Sequence, residues 1–397
     1  MEKMDLYFDN AATTRLRPEV FAAMKPYLEE IFGNPSGVYD YARVARKAVE
    51  DARKQIASAL NASHEEIFFT GSGTESDNWA IIGAAEANDK KGRHIITSAI
   101  EHHAVLHTCR HLQKKGWDVT YVPVDGEGFV DPDSVKRAIR PDTVLVSVML
   151  ANNETGVIEP IEEIGKITRE AGVLLHTDAV QAAGHIPVEA QSLNVDLLTI
   201  SAHKFYGPKG VGALYIKKGT RINQFIHGGA QESKKRAGTE NVAGIVGMGA
   251  ALSLTVEEMP TEATRLTALR DRLISRIENE IPHVRLNGPR SGRLPGNVNV
   301  SFEFIEGESL LLLLDMRGCR ASSGSACTTG SLDPSHVLTA MGVSHETAHG
   351  SARFTLGRWN TEKDVDDLME MLPPVVARLR EMSPQFDDYK NAGKLRG

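Results

Sequence analysis

Two charged side chains terminate apolar runs in the middle of this chain, and a glycine turn lies upstream of both. Val173-Leu174-Leu175-His176-Thr177-Asp178 runs into a carboxylate, and Asp196-Leu197-Leu198-Thr199-Ile200 runs into Ser201-Ala202-His203-Lys204. If each run is a buried strand, both charges lie at carboxyl ends of strands, where open α/β sheets bind their ligands. Upstream, Glu66-Ile67-Phe68-Phe69-Thr70 leads through Gly71-Ser72-Gly73-Thr74-Glu75. A strand passing through a glycine turn into a helix offers free N–H groups to an anion. Taken singly, each feature also has a plain structural reading. Ser72 with Glu75 three residues on is a capping box, and Asp178 with Lys204 is a buried ion pair. A buried lysine is costly unless it is used. Together the three point to pyridoxal phosphate: Lys204 as the covalent anchor, Asp178 against the pyridinium nitrogen and the turn around the phosphate.

Two further groups bear on chemistry. His103, His107 and His111 share one helical face at a spacing open to zinc, but no HExxH or paired cysteine motif accompanies them. His102, where strand turns into helix, is placed to lie over a flat cofactor. Cys327 stands in Ser322-Ser323-Gly324-Ser325-Ala326-Cys327-Thr328-Thr329-Gly330-Ser331, small and polar throughout, which predicts an exposed, mobile loop and a working thiol. Cys109 and Cys319 have apolar neighbours and read as packed thiols.

The elements that must position these residues follow from periodicity. Apolar runs at 66–70, 94–97, 119–122, 143–148, 172–176, 197–200 and 212–216 read as strands. Helical patterns at 75–87, 102–115, 131–139 and 160–171 separate most of them, which predicts a mostly parallel seven-stranded sheet covered by helices. From Val256 the pattern changes to a helix through Ile281, strand near 297–302, helix at 309–317 and a closing helix at 361–382, a smaller α+β unit. The division expected is a large α/β domain over 17–255 and a small domain from 1–16 with 256–397, its last residues, Ser383 to Gly397, a frayed tail.

Composition sets limits on function. The 397 residues are 41% hydrophobic and 24% charged, the balance of an ordinary globular chain. The longest aliphatic run, Leu310 to Leu314, falls far short of the roughly 18 residues of a membrane span, so no membrane partner is expected. A net charge of -7 disfavours nucleic acid. Three cysteines and a polar, mixed-charge start fit a cytoplasmic protein with free thiols.

With these residues in view, the chain resembles the cysteine desulfurases of the NifS/IscS family, the NifS branch most closely. The resemblance runs from Tyr7 to about Pro384. It is carried by Phe8-Asp9-Asn10-Ala11-Ala12-Thr13-Thr14, Gly33-Asn34-Pro35-Ser36, Gly73-Thr74-Glu75-Ser76, Glu101-His102, Ala151-Asn152-Asn153-Glu154-Thr155-Gly156, His176-Thr177-Asp178-Ala179-Val180-Gln181, Ser201-Ala202-His203-Lys204, Arg236-Ala237-Gly238-Thr239-Glu240-Asn241 and Gly324-Ser325-Ala326-Cys327. It departs from the family at Gly37 and Tyr39 and at Glu232-Ser233-Lys234-Lys235, positions that bear on subunit and acceptor contacts.

The resemblance implies a fold type I pyridoxal-phosphate homodimer. Lys204 would carry the cofactor, with Gly73, Thr74, Ser201 and His203 at its phosphate, Asp178 at the ring nitrogen, Asn153 and Gln181 at the phenolic oxygen and His102 stacked on the ring. Thr239 would reach the cofactor of the other subunit, and Asn34 and Arg353 would hold the substrate carboxylate. L-cysteine would become L-alanine, its sulfur held as a persulfide on Cys327 and passed to a NifU/IscU-like iron–sulfur scaffold. No resident metal is implied, although Cys327 is a candidate ligand for a transferred cluster. The rival enzyme reading is a selenocysteine lyase or another pyridoxal-phosphate lyase acting on cysteine, which would tolerate loss of the loop thiol.

Overall fold

The computed structural model describes residues 5–323 and 334–394. Strands are numbered in chain order: β1 Leu6–Tyr7, β2 Ile67–Thr70, β3 His94–Ser98, β4 Asp118–Val122, β5 Thr143–Ser147, β6 Leu174–Asp178, β7 Leu197–Ser201, β8 Gly212–Ile216, β9 Val284–Leu286, β10 Asn297–Phe302, β11 Cys319–Arg320 and β12 Ser351–Thr355. Seven of them form one sheet in the order β2-β8-β7-β6-β5-β3-β4. Only β8 runs against its neighbours, so the expected mostly parallel sheet is present. The central strands are buried along their whole length, as sheets covered on both faces are. A second sheet has the order β12-β10-β9, and β1 pairs with β11.

Several boundaries differ from the periodicity, each for a local reason. The strand expected over 172–176 is β6, Leu174–Asp178, because Gly172 at φ 63° ends the preceding helix in the left-handed region. Asp178 is therefore inside the sheet, paired with Thr199 of β7. The helix expected from Val256 begins at Val242 and runs to Glu280, capped by the Asn241 side chain accepting from the Gly244 N–H. Its glycine- and alanine-rich first half hides the amphipathic period. That helix is long and apolar enough by composition to cross a membrane. Its apolar residues instead pack into two cores, Met248 and Leu252 against the large sheet, Leu266 to Ile277 against the small one. Two helices not foreseen, Pro18–Glu29 and Asp40–Ala59, lie against it. The tail expected to fray forms a helix over Pro384–Lys394. Phe386 and Tyr389, three residues apart, face Phe304 at 5.4 and 5.0 Å between ring centroids, which offsets the weak local propensity.

The edge strand β2 is fastened by a buried ion pair. Arg53 donates from Nη1 and Nη2 to the Glu232 carboxylate at 2.7 and 2.9 Å and from Nη1 to the Ile67 carbonyl, while Glu232 also accepts the Phe69 N–H at 2.9 Å. Glu232, Ser233 and Lys234 all hold positive φ (47°, 55° and 66°), a strained run for non-glycine residues that this pairing offsets. Breaking a buried pair from one side leaves the other charge uncompensated. Glu232→Ala is therefore expected to cost about 3–5 kcal/mol. Urea denaturation checks this, and a loss below about 1 kcal/mol would show the pair to be replaceable by water.

Candidate functional site

The carboxyl ends of β2, β6 and β7 converge on one cavity of about 370 Å³, which Arg353 of β12 in the second sheet also lines. Gly73, Thr74, His102, Asn153, Asp178, Gln181, Ser201, His203, Lys204 and Arg353 all line it. Asn34 does not: it is exposed, its Oδ1 accepting the Ser36 N–H at 2.9 Å. Thr239 is likewise exposed and outside the cavity. The expected loop thiol Cys327 lies outside the described residues. Cys109 and Cys319 are buried, as expected, and burial pushes both thiols up to about 12.

At one end of the cavity, β2 turns at Gly71 into the helix beginning at Gly73. The Ser72 hydroxyl caps it by accepting the Glu75 N–H at 3.1 Å. The Glu75 carboxylate reaches the Gly71 N–H at 2.8 Å rather than closing the expected box on Ser72, and pairs with Arg236. The first-turn N–H groups of Gly73 and Thr74 lie beyond reach of any helical carbonyl. A Cβ on Gly73 would sit 2.9 Å from Val180 Cγ2 and 3.4 Å from Ser201 Cβ, so only glycine lets the backbone form this wall.

Lys204 follows Ser201 on a short turn, Ala202–Lys204, and its Nζ donates to the Ala11 and Ala12 carbonyls at 2.5 and 2.8 Å. Gln181 Nε2 donates to the same Ala11 carbonyl at 2.9 Å. Asp178 Oδ1 accepts the Val180 N–H at 2.9 Å. Burial raises Asp178 to about 6, against the pull of that N–H and of Lys204, so it is an anion at neutral pH. His102 caps the helix His103–Lys114, its Nδ1 accepting the Ala104 N–H at 3.1 Å, which leaves the ring proton on Nε2. Burial, then the Lys204 charge, lowers both His102 and His203 to about 4, so both rings are neutral.

Sequence reasoning missed Asp77. It lines the cavity one turn into the Gly73 helix, is fully buried, and its Oδ1 has no hydrogen-bond partner among the described residues. His176 Nε2 stands 3.6 Å away, but burial lowers that imidazole to about 3. Burial and then the nearby Asp178 charge push Asp77 well above its ordinary value, toward the protonated form. The signal available was the four-residue spacing from Gly73 on one helix face. Among the described residues no group of three or more His, Cys, Asp or Glu side chains is disposed to hold a metal ion.

A lysine and an aspartate at adjacent strand ends, beneath a mostly parallel seven-stranded sheet that opens on a helix N-terminus, define a fold type I transferase of the pyridoxal-phosphate class. The chain belongs to the class-V aminotransferase family, whose pattern matches residues 6–368. It is 57% identical over 388 residues to the cysteine desulfurase IscS of Dictyoglomus turgidum, covering 98% of both chains. It is also 57% identical over 383 residues to the IscS of Methanosarcina thermophila, 96% of this chain and 95% of that one. Among solved structures, a NifS-like protein superposes with a TM-score of 0.90 at 41% identity, covering 95% of this chain and all (100%) of the other. SspA in complex with cysteine superposes with a TM-score of 0.80 at 38% identity, covering 90% of this chain and 100% of that one.

Glu101, next to His102, is a buried acid whose Oε1 accepts from the Ser98 hydroxyl at 2.5 Å and the Met149 N–H at 3.0 Å. Burial raises it to about 8 from an ordinary 4.5. The folded state then binds a proton the unfolded chain has released, so this group's stabilisation is full below about pH 4.5 and is lost as pH rises through about 8. Glu101→Gln removes that loss. The variant is expected to melt with wild type near pH 5 and above it near pH 9, and a pH-independent difference in melting temperature would contradict the assignment.

Proposed function

We infer that this chain is a cysteine desulfurase that uses pyridoxal 5'-phosphate to convert L-cysteine to L-alanine and supplies the sulfur to iron–sulfur cluster assembly in the cytoplasm. The observation that carries the reading is the meeting of Lys204, Asp178, His102, the Gly73 turn and Arg353 on one cavity. Relatives named cysteine desulfurase IscS, matched over nearly the full length, support it.

The lining fits the cofactor's parts. The Gly73–Thr74 N–H groups with Ser201 and His203 form an anion cradle, Asp178 is a buried anion for a protonated ring nitrogen, and the neutral His102 ring is a flat cover. When bound, pyridoxal phosphate supplies an electrophilic carbon and an electron-withdrawing ring. Asn153 and Gln181 supply side-chain amides to its remaining polar oxygen. Lys204 would be its covalent anchor and the base that takes the substrate Cα proton. Arg353 binds the substrate carboxylate. The Cys327 thiolate forms an S–S bond to the substrate sulfur as the C–S bond breaks, its electron pair staying with carbon, which takes up a proton to leave alanine.

A second copy of the chain completes the site. Phe32, Val38, Tyr39, Tyr41 and Val44 are 80, 89, 52, 52 and 47% exposed around the start of the helix Asp40–Ala59, an apolar patch of the kind subunits cover. Asn34 lies within that segment, and Thr239 on the same chain is exposed and free to serve a neighbouring cavity. The acceptor of the persulfide sulfur is a NifU/IscU-like scaffold.

Two measurements test the reading. Lys204→Ala is expected to lose alanine release from L-cysteine by more than the roughly 100- to 10,000-fold of one general base, since anchor and base go together. A rate near wild type would sink the assignment. After incubation with L-cysteine, Cys327→Ser is expected to carry no persulfide by mass spectrometry, while Cys109→Ser and Cys319→Ser are labelled as wild type is. Undiminished turnover in Cys327→Ser would favour a lyase of the selenocysteine type instead.

A further inference from the structure

Arg353 reaches the cavity from the middle of β12, and two contacts fix its guanidinium. Nη1 donates to the Asn153 carbonyl at 2.8 Å, and Nη2 to Asp9 Oδ1 at 3.0 Å. The side chain is 3% exposed, and its Nε is buried with no hydrogen-bond partner among the described residues. Asp9 does not itself line the cavity. It follows β1 and bridges to Thr355, two residues along β12 from Arg353. The Tyr7 hydroxyl braces this segment by donating to the Asp9 and Thr13 carbonyls at 3.1 and 2.7 Å.

This arrangement meets two requirements of a buried guanidinium that must take a carboxylate ligand. A long, flexible side chain has to be held in one rotamer before the ligand arrives, or the binding energy is spent on ordering it. A buried cation also needs an anion while the cavity is empty. Asp9 meets both needs through one nitrogen, Nη2, and leaves the remaining Nη protons uncommitted.

We propose that Asp9 is a positioning residue for substrate carboxylate binding: it orients and charge-compensates Arg353 so that the remaining Nη protons are presented to the α-carboxylate of an amino acid. The proposal rests on the reading of Arg353 as the carboxylate site. The competing account is that Asp9 only fastens the N-terminal segment to the second sheet.

The test uses the holoenzyme and a pair of unreactive amines, S-methyl-L-cysteine and its decarboxylated counterpart S-methylcysteamine, titrated while following the cofactor's absorption. Asp9→Asn is expected to raise the Kd of S-methyl-L-cysteine by roughly threefold to a hundredfold, the span seen for directly paired side chains, and to change that of S-methylcysteamine by less than about twofold. Cofactor content stays as in wild type, while the melting temperature of the ligand-free enzyme falls because Arg353 loses its counter-ion. Asp9→Glu recovers part of the affinity, and in an Arg353→Gln background Asp9→Asn has no further effect. If Asp9→Asn weakens both amines alike, or adds its full effect to that of Arg353→Gln, Asp9 is a fastening only and the proposal is wrong. If Arg353→Gln separates the two amines but Asp9→Asn does not, the role of Asp9 alone falls. If Arg353→Gln fails to separate them, the carboxylate reading falls and takes this proposal with it.

Discussion

The site depends on how the Lys204 ammonium is held by two consecutive backbone carbonyls, Ala11 and Ala12, contributed by a segment nearly two hundred positions earlier in the chain. That segment begins in the second core, where Leu6 and Phe8 are buried, and ends against the first, where the Thr14 hydroxyl and N–H both donate to the His203 carbonyl. Between these points Asn10 reaches Thr355 and Asn360, and Thr13 meets the His203 ring at 3.2 Å. A chain crossing between two packed cores has little freedom, because moving it would unpair backbone groups in both. Lys204, on the turn after β7, and Arg353, on β12 of the other sheet, are thereby placed on one cavity by a shared strap.

Around that strap, burial sorts the charges. Glu101 and Glu159 are raised to about 8 by burial and Asp77 well above its ordinary range, while His102, His176 and His203 are pushed down to about 3–4. Burial thus favours the uncharged form of each, and Asp77, His102 and His203 line the cavity itself. Asp178 differs because the Val180 N–H and the Lys204 charge hold it near 6. A low-dielectric site in which most titratable groups are neutral makes the few remaining charges act strongly on whatever is bound. Glu101 and Glu159 each accept a backbone N–H as well, so selectivity among these acids comes from the lysine.

Much of this was legible in the sequence where an apolar run stops on a polar residue. Asp178 and Lys204 mark their own strand ends, and Gly73 marks the turn, because glycine there is required by the close approach of Val180 and Ser201. Asp77 shares a helix face with Gly73, but its burial beside His176 and Asp178 of another strand is a long-range property that this local spacing does not encode. The Val242–Thr255 stretch was hidden for the opposite reason: small residues packed on all sides leave no amphipathic stripe. The closing helix at Pro384–Lys394 was hidden because three aromatic contacts, not its polar composition, hold it. Asn34 and Thr239 carry motif signals as clear as that of Asp178, yet lie outside the cavity.

That last disagreement has a physical cause. Asp178 and Ser201 in the cavity end strands backed by the sheet, whereas Asn34 lies in a segment whose large apolar side chains, Phe32 and Val38, are exposed. A chain does not leave an 80%-exposed phenylalanine beside an 89%-exposed valine without cost in water, and a second copy of the same surface removes both from solvent. In the proposed homodimer, residues on that face gain a new neighbour, and motif residues with no task within one chain acquire one across the interface. The strap that fixes Lys204 and Arg353 lies wholly within the single chain. Anchor, proton transfer and carboxylate recognition are thus set by folding, while any contribution of Asn34 and Thr239 is set by association and varies with protein concentration in a way the others do not.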